Sequence, residues 1–226
     1  MKAAVRMREV IGVLALLCVG AGLYLALVAA PSDEYQGNVQ RIMYIHVPCA
    51  WNAYMAFAGV ALFSVLYLIT RHKIWDLMGA ASASIGVLFT GITLLSGAIW
   101  GKPVWHVWWT WDARLTTTLI LFLIYVGYLM LRNFLRDDSR LETYCAVLGI
   151  IGAVDIPIVH FSVTWWRTLH QPATVINPEG VKMHGLMLFT LLFNLFVFTL
   201  VYVYLFLKRF HLEALRWKKD RPLEDV

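Results

Sequence analysis

Five of the ten tryptophans in this 226-residue chain fall in residues 100–114, which read WGKPVWHVWWTWDAR. They are Trp100, Trp105, Trp108, Trp109 and Trp111. Indole rings have large apolar faces, and they usually pack in a core, anchor a protein at a membrane interface or stack on a flat ligand. The segment therefore predicts either an interfacial anchor or a surface that holds a planar molecule.

Two histidines stand beside long hydrophobic stretches. His46 in RIMYIHVP comes at the start of one stretch, and His170 in TWWRTLHQP follows the end of another. One imidazole from each could approach a metal from opposite sides, with the tryptophans forming an aromatic surface between them. This pattern favours a planar, apolar macrocycle with an axially ligated iron, namely haem. A lone histidine in such a place is more often a filler than a ligand, so the hypothesis depends on the pair.

Basic residues near the same segments could meet the two carboxylates of haem with charge-assisted hydrogen bonds. They are Arg41, Lys102, Arg114 and Arg167. Contact with lipid headgroups is the alternative for each. The three cysteines form no C-x-x-C pair, which disfavours thiol redox chemistry and covalent attachment of c-type haem. Free thiols and a non-covalent site are expected.

Composition decides the class of protein that positions these residues. Apolar residues make up 60% of the chain, charged residues make up 15%, and the mean hydropathy is +0.68. Because lipid offers backbone groups no hydrogen-bond partner, each membrane span must be a helix of roughly 20 residues. The predicted spans are 9–30, 47–70, 77–99, 115–132, 143–163 and 184–207. The expected fold is an all-α integral membrane protein, a six-helix bundle in a single transmembrane domain covering residues 1–226.

The first predicted span also resembles a secretory signal, because a basic start is followed by an apolar run and by small residues. Its apolar run of about twenty residues exceeds the 7 to 15 typical of a signal core. An uncleaved helix is therefore expected.

Basic residues also predict the orientation of the bundle. Fourteen of the nineteen Lys and Arg residues lie in the N-terminus, the 71–76 and 132–142 loops and the tail from Lys208. This asymmetry predicts that both termini are cytoplasmic and that the Trp-rich segment faces outward. The net charge of +5 is explained by anchoring to anionic headgroups, and no nucleic acid is expected. Seven tryptophans in the outward segments against two in the inward ones indicate a ligand held at the outer face.

Local signals at the Trp-rich segment predict how its side chains are arranged. Gly101 and Pro103 are expected to end the third helix. If the stretch after them is helical, Trp105, Trp108 and Trp109 stand at i, i+3 and i+4 on one face. The result would be an aromatic shelf.

Polar residues close to or within the spans have structural interpretations as well. Asp112 precedes ARLTTT and suits the N-cap of the fourth span, where it could also orient Arg114. Asp155 and His160 lie inside the bundle, where a charge is costly, so Asp155 is expected to be protonated or hydrogen-bonded to a neighbouring span, with a transport role as the alternative. Small residues of span three, Ser96 and Gly97 among them, predict close helix packing rather than a conduit.

The segment WGKPVWHVWWTWDARLT resembles the WWD signature of membrane haem-handling proteins. RIMYIHVP, TGITLLSGAIWGKP and IPIVHFSVTWWRTLHQ extend the similarity over nearly the whole chain. With six spans, the chain is most similar to the CcmC family, the haem exporter proteins C of cytochrome c maturation. One departure is His106, which stands where the family commonly has a small residue, usually glycine.

The resemblance implies haem b bound non-covalently, in transit, at the outer face of the cytoplasmic (inner) membrane, with His46 and His170 as axial ligands. It further implies handover of haem to the periplasmic chaperone CcmE and association with the ABC transporter subunits CcmA and CcmB and the small protein CcmD. The expected haem-binding residues are His46, His170, Trp100, Trp105, Trp108, Trp109, Trp111, Asp112, Arg114 and Arg167.

Two other classes of function stay open at this point. A b-type cytochrome that moves electrons would favour ligand pairs buried within the spans. A haem or small-solute transporter would depend on polar residues inside the membrane, and this chain has few. No catalytic acid, base or nucleophile is predicted, so an enzymatic role in the handover is undecided, as are the roles of His106, His184 and Asp155.

Overall fold

The computed structural model describes residues 2–136, 138–171, 175, 180 and 183–219. Within these residues, six helices are long and apolar enough to cross a membrane. They are α1 (Lys2–Tyr24), α2 (Met43–Thr70), α3 (Lys73–Trp105), α4 (Ala113–Phe134), α5 (Leu141–Trp165) and α6 (Gly185–Lys219). The chain is therefore a multi-pass, all-α membrane protein, as predicted. Lys182 and Arg221, which belong to the predicted charge asymmetry, lie outside the described residues.

The helices extend beyond the predicted spans, and the end of α3 shows the reason. The sequence predicted that Gly101 and Pro103 end this helix, but it continues to Trp105 with Pro103 inside it. This prediction was wrong because a proline removes one backbone hydrogen bond yet keeps a φ angle compatible with a helix, which transmembrane helices tolerate. The helix ends instead at His106, whose backbone is left-handed with φ 64°.

The bundle is built around α2 and α3. Helices α4 and α5 pack together on one side of this pair, and α1 packs against α6 on the other side. Small residues let the central helices approach closely: the Ser82 hydroxyl donates to the Ala56 carbonyl at 2.7 Å, and a Cβ at Gly86 would collide with the Phe57 ring. These contacts support the prediction that small residues of the third span serve helix packing.

A short connection between α1 and α2 holds one of the predicted carboxylate-binding residues. The chain passes through a π-helical turn (Leu25–Ala29) and a 3-10 helix (Asn38–Ile42). Arg41 in the latter donates from Nη1 to the Ala26 carbonyl at 3.1 Å and from Nη2 to the Ala30 carbonyl at 3.0 Å. Its guanidinium thus satisfies carbonyls at the end of the first span, where helix geometry supplies no partner.

Cysteine and aspartate side chains lie within the bundle. All three cysteines, Cys18, Cys49 and Cys145, are free thiols, as expected. The Asp155 side chain is buried, and its Oδ2 atom has no hydrogen-bond partner among the described residues. The hydrogen bond to a neighbouring span that the sequence analysis considered for Asp155 is therefore not made through this oxygen.

An ion-pair network closes the end of the bundle opposite the Trp-rich segment. Arg132 of α4 binds both carboxylate oxygens of Asp76 on α3, and its Nη2 lies 3.0 Å from Oδ2. Lys73 lies 2.8 Å from the same carboxylate and also pairs with Glu142 of α5. Because the Asp76 side chain is only 2% exposed, its negative charge depends on these two cations for compensation. The network joins three helices at one point.

Removing one member of this network should destabilise the bundle strongly. Arg132→Ala leaves the Asp76 carboxylate buried with part of its compensation lost, which typically costs about 3–5 kcal/mol. The matched control is Arg140→Ala, because the Arg140 side chain is 72% exposed and lies 3.7 Å from Asp138, so its removal should change stability by less than about 1 kcal/mol. The free energy of unfolding of both variants in detergent measures the difference, and equal values would contradict the structural role of the network.

Candidate functional site

A cavity of about 570 Å³ lies between the helices at the end of the bundle that carries the Trp-rich segment. This volume falls in the range of roughly 300–1,000 Å³ common for small-molecule sites. Six of the residues predicted from the sequence line it: His46, Trp100, Trp105, Trp109, Arg114 and His170. Residues separated by more than 120 positions in the chain therefore share one aromatic chamber.

His46 enters the cavity from the first turns of α2. Its Nδ1 lies 3.1 Å from the Ser96 hydroxyl of α3, and its ring meets Trp100 edge to face, with centroids 5.7 Å apart at 76°. The Trp100 indole is held in turn, because its Nε1 donates to the Gln36 side chain at 2.8 Å. Residues on a helix thus set the position of this imidazole.

His170 reaches the same cavity from the segment that follows α5. Its Nδ1 lies 2.8 Å from the Gln171 carbonyl oxygen, and its ring lies against Trp105 at a centroid distance of 6.4 Å. Burial, followed by the nearby Arg114 guanidinium, lowers the pKa of His170 below its ordinary value of 6.5. The imidazole is therefore neutral at pH 7, which is the form that binds a metal.

Asp112 connects the segment before α4 to the segment after α5. Its Oδ1 accepts from the Leu115 backbone N–H at 2.9 Å, so it is the N-cap of α4, as predicted. Its Oδ2 accepts from the Leu169 backbone N–H at 3.2 Å. One carboxylate therefore fixes both the start of α4 and the backbone next to His170, whereas the sequence had suggested Arg114 as its partner.

Arg114 lies in the first turn of α4 and lines the cavity. Its Nη1 donates to the carbonyls of Val159 and His160 near the end of α5, at 3.1 and 3.2 Å. Among the described residues no carboxylate pairs with it. Its positive charge is thus held at the cavity wall by neutral carbonyl groups and can attract an anion there.

The tryptophans do not form the helical shelf that their spacing suggested. Because α3 ends at Trp105 and α4 begins at Ala113, Trp108 and Trp109 lie in non-helical chain, and the prediction that the three indoles share one helical face was wrong. Trp109 lines the cavity, and its Nε1 is buried without a hydrogen-bond partner in the described part of the chain. Trp108 and Trp111 are instead 59% and 76% exposed.

His106 owes its position to the turn that ends α3. With φ 64°, it adopts the left-handed conformation that favours glycine, and its carbonyl accepts from the Lys102 ammonium at 3.2 Å. This backbone conformation is one that glycine adopts more easily than histidine. The His106 side chain is exposed and is not among the residues that line the cavity.

Other predicted residues also lie away from the cavity lining. Arg167 is exposed in the segment after α5, and the Lys102 ammonium lies 6.0 Å above the Trp108 ring. His184 stands just before α6, where its Nδ1 accepts from the Leu186 backbone N–H at 3.3 Å. The bond gives His184 a structural role at the start of a helix.

The cavity includes residues that the sequence analysis did not assign to it. Trp51 and Tyr54 on α2 line it, and so does His160 on α5. Tyr54 could have been found, because it lies eight residues after His46, about two helical turns along the same face. His160 had been noted only as an ionisable residue within a span.

Comparison with known proteins identifies the family. The model of the family described as "Heme exporter protein C" matches residues 1–224. The chain belongs to this family. It is 42% identical over 203 residues to the heme exporter protein C of Bradyrhizobium diazoefficiens, covering 90% of this chain and 76% of that protein.

Two further relatives show how widely the similarity extends. The heme exporter protein C of Haemophilus influenzae is 41% identical over 209 residues, which are 92% of this chain and 85% of that protein. A putative cytochrome c biosynthesis ccmC-like mitochondrial protein of Marchantia polymorpha is 45% identical over 166 residues, which are 74% of this chain and 70% of that protein.

The double role of Asp112 yields a test that separates its two bonds. Asp112→Ala should lose the helix cap and the link to Leu169, which costs about 1–2 kcal/mol of unfolding free energy for the cap. Asp112→Asn should retain most of the cap, because asparagine caps helices about as well as aspartate. Its amide has one oxygen rather than two, so the variant should keep the cap at the expense of the Leu169 bond.

Thermal unfolding in detergent measures the cap, and the rate of proteolysis after residue 165 measures the link. We expect Asp112→Asn to unfold near the wild-type temperature while its 166–171 segment is cleaved faster. Faster cleavage in Asp112→Ala alone would show that the Leu169 bond does not restrain this segment.

Proposed function

We propose that this protein binds haem b non-covalently at the outer end of its helix bundle and delivers it to the periplasmic chaperone CcmE for cytochrome c maturation. Membership of the heme exporter protein C family supports a role in haem export. The observation that carries the finer proposal is the cavity itself, which brings His46 and His170 together between tryptophan rings.

The chemistry of the cavity wall fits an iron porphyrin in three respects. The imidazoles of His46 and His170 would hold the iron, since imidazole is a common protein ligand of haem. Trp100, Trp105 and Trp109 supply flat apolar surface for the ring. Arg114, which no carboxylate of the described residues neutralises, would be a donor for the carboxylates of the ligand.

We place the haem site on the periplasmic side of the inner membrane, with both termini in the cytoplasm. The distribution of basic residues supports this orientation, because the positive-inside rule assigns the side rich in Lys and Arg to the cytoplasm. The network of Lys73 and Arg132 lies at that basic end, whereas the cavity lies at the opposite end.

Exposed tryptophans beside the cavity support a handover to another protein. Trp108 and Trp111 are largely exposed and sit on the same short segment as Trp105 and Trp109, which line the cavity. Exposed indoles commonly form the anchoring contacts of protein interfaces. We assign them to the docking of CcmE, within a complex that also contains CcmA, CcmB and CcmD.

Electron transfer by a b-type cytochrome has less support than haem handover. Such a protein would hold both axial ligands within its spans, but His170 lies beyond the last residue of α5. Transport of a small solute through the bundle would use polar groups along its length, yet the cavity lies at one end and is lined mainly by apolar and aromatic residues.

The axial ligands are tested by the absorption spectrum and haem content of the purified protein. His46→Ala and His170→Ala should each lower haem content at least about tenfold and change the low-spin spectrum, since each removes an axial ligand. His106→Ala is the matched control, because His106 is an exposed histidine of the same region, and it should keep wild-type values. Normal spectra in both ligand variants together with loss of haem in His106→Ala would show that the ligands are wrongly assigned.

The division of labour among the tryptophans is tested by trapping the complex with CcmE. Trp108→Ala and Trp111→Ala should weaken capture of the chaperone by roughly thirtyfold, or about 2 kcal/mol, while haem content stays near normal. Trp105→Ala and Trp109→Ala should lower haem content instead. Tyr35→Ala is the control, because Tyr35 is 95% exposed outside the Trp-rich segment. Unchanged capture in the first two variants would count against a docking role for the exposed indoles.

A further inference from the structure

The Ser96 hydroxyl is the side-chain hydrogen-bond partner of His46 among the described residues. Ser96 Oγ lies 2.6 Å from the Ile92 carbonyl and 3.3 Å from the Thr93 carbonyl, so its single proton is donated to backbone oxygen. The same oxygen lies 3.1 Å from Nδ1 of His46. Because the hydroxyl has no second proton, it accepts from Nδ1–H, and Nε2 of the neutral ring is left unprotonated.

The ring of His46 is also fixed sterically by the next residues of α3. A Cβ built at Gly97 would lie 3.0 Å from Cε1 of His46, so the backbone of α3 and the imidazole are in close contact at this glycine. Trp100, one turn further along, meets the ring edge to face. Ser96, Gly97 and Trp100 therefore form a cradle for His46, which we call the α3 cradle.

His170 has the same arrangement built from backbone. Its Nδ1 lies 2.8 Å from the Gln171 carbonyl oxygen, which can only accept a hydrogen bond. Nδ1 of His170 is thus the donor, and Nε2 is again unprotonated. Both imidazoles of the cavity are held through Nδ1, which is the usual arrangement for histidines that bind a metal through Nε2.

We propose that Ser96 is a positioning residue that fixes the tautomer and orientation of His46, so that Nε2 is free to bind the haem iron. This inference rests on the proposed haem-binding function. The bond from Nδ1–H to the hydroxyl also raises the basicity of the imidazole and strengthens it as a ligand. The hydrogen-bond partner of His170 is a main-chain carbonyl, which a substitution does not remove. Only the hydrogen bond of His46 can therefore be tested by replacing the side chain of its partner, Ser96.

The test compares three serine variants in the intact protein. Ser96→Ala removes the acceptor, and Ser96→Thr keeps a hydroxyl that can bond to the carbonyl four residues earlier. Ser84→Ala is the matched control, because Ser84 Oγ donates to the Ala80 carbonyl at 2.9 Å in the same helix, about three turns from Ser96. The measurements are haem affinity by titration of the purified apoprotein, and the electron paramagnetic resonance of the ferric low-spin state.

Loss of the bond between Ser96 and His46 should weaken haem affinity about 10–100-fold and shift the low-spin g values. Ser96→Thr should restore both properties to near the wild-type values, and Ser84→Ala should leave both unchanged. A role of Ser96 in packing alone would lower the unfolding temperature without shifting the g values of the haem that remains bound.

Three results distinguish failure of this inference from failure of the proposed function. If His46→Ala loses haem but Ser96→Ala behaves like Ser84→Ala, the positioning role of Ser96 is wrong. If His46→Ala itself binds haem as the wild type does, the proposed function is wrong. If Ser96→Ala does not fold, Gly97→Ala is measured instead, because it keeps the Ser96 hydroxyl and presses a methyl group against the His46 ring. Shifted g values in this variant would support the α3 cradle. Wild-type g values would overturn it.

Discussion

The carboxylate of Asp112 is the interaction on which the cavity end of the bundle depends. Non-helical backbone close to a membrane needs hydrogen-bond partners that lipid does not provide. Asp112 supplies two of them, one at the first turn of α4 and one at Leu169 in the segment after α5. Trp109, which lines the cavity, lies three residues before Asp112, and His170 directly follows Leu169. A single carboxylate therefore holds both the aromatic wall and one imidazole of the cavity in place.

The two imidazoles of the cavity are held by structures of different rigidity. His46 belongs to α2 and is fixed by three residues of α3, one of them a glycine whose Cβ position lies only 3.0 Å from the imidazole. His170 belongs to an irregular segment and is fixed by one neighbouring carbonyl and, through Leu169, by Asp112. The proposed handover requires a site that holds haem and then releases it. The helical side of this site is suited to holding, and the irregular side has fewer contacts to break.

The sequence predicted the number and type of helices because hydrophobic length alone requires them, and it predicted the cap at Asp112 because capping is local chemistry. It failed at the end of α3, where Pro103 was read as a stop although a membrane helix tolerates it. That error led to the wrong prediction that three tryptophans share one face of a helix. The contact of Ser96 with His46 was beyond prediction, because it joins residues 50 positions apart and depends on the register between α2 and α3.

Positively charged side chains have different partners at the two ends of the bundle, and this difference is relevant to the proposed ligand. At one end Arg132 and Lys73 meet the carboxylate of Asp76, so the buried charges compensate each other. Among the described residues, Arg114 at the cavity bonds only to carbonyls. Carbonyl dipoles hold a guanidinium without cancelling its charge. The cavity therefore attracts anions more strongly than the opposite end does, which agrees with the two carboxylates of the haem that we propose as the ligand.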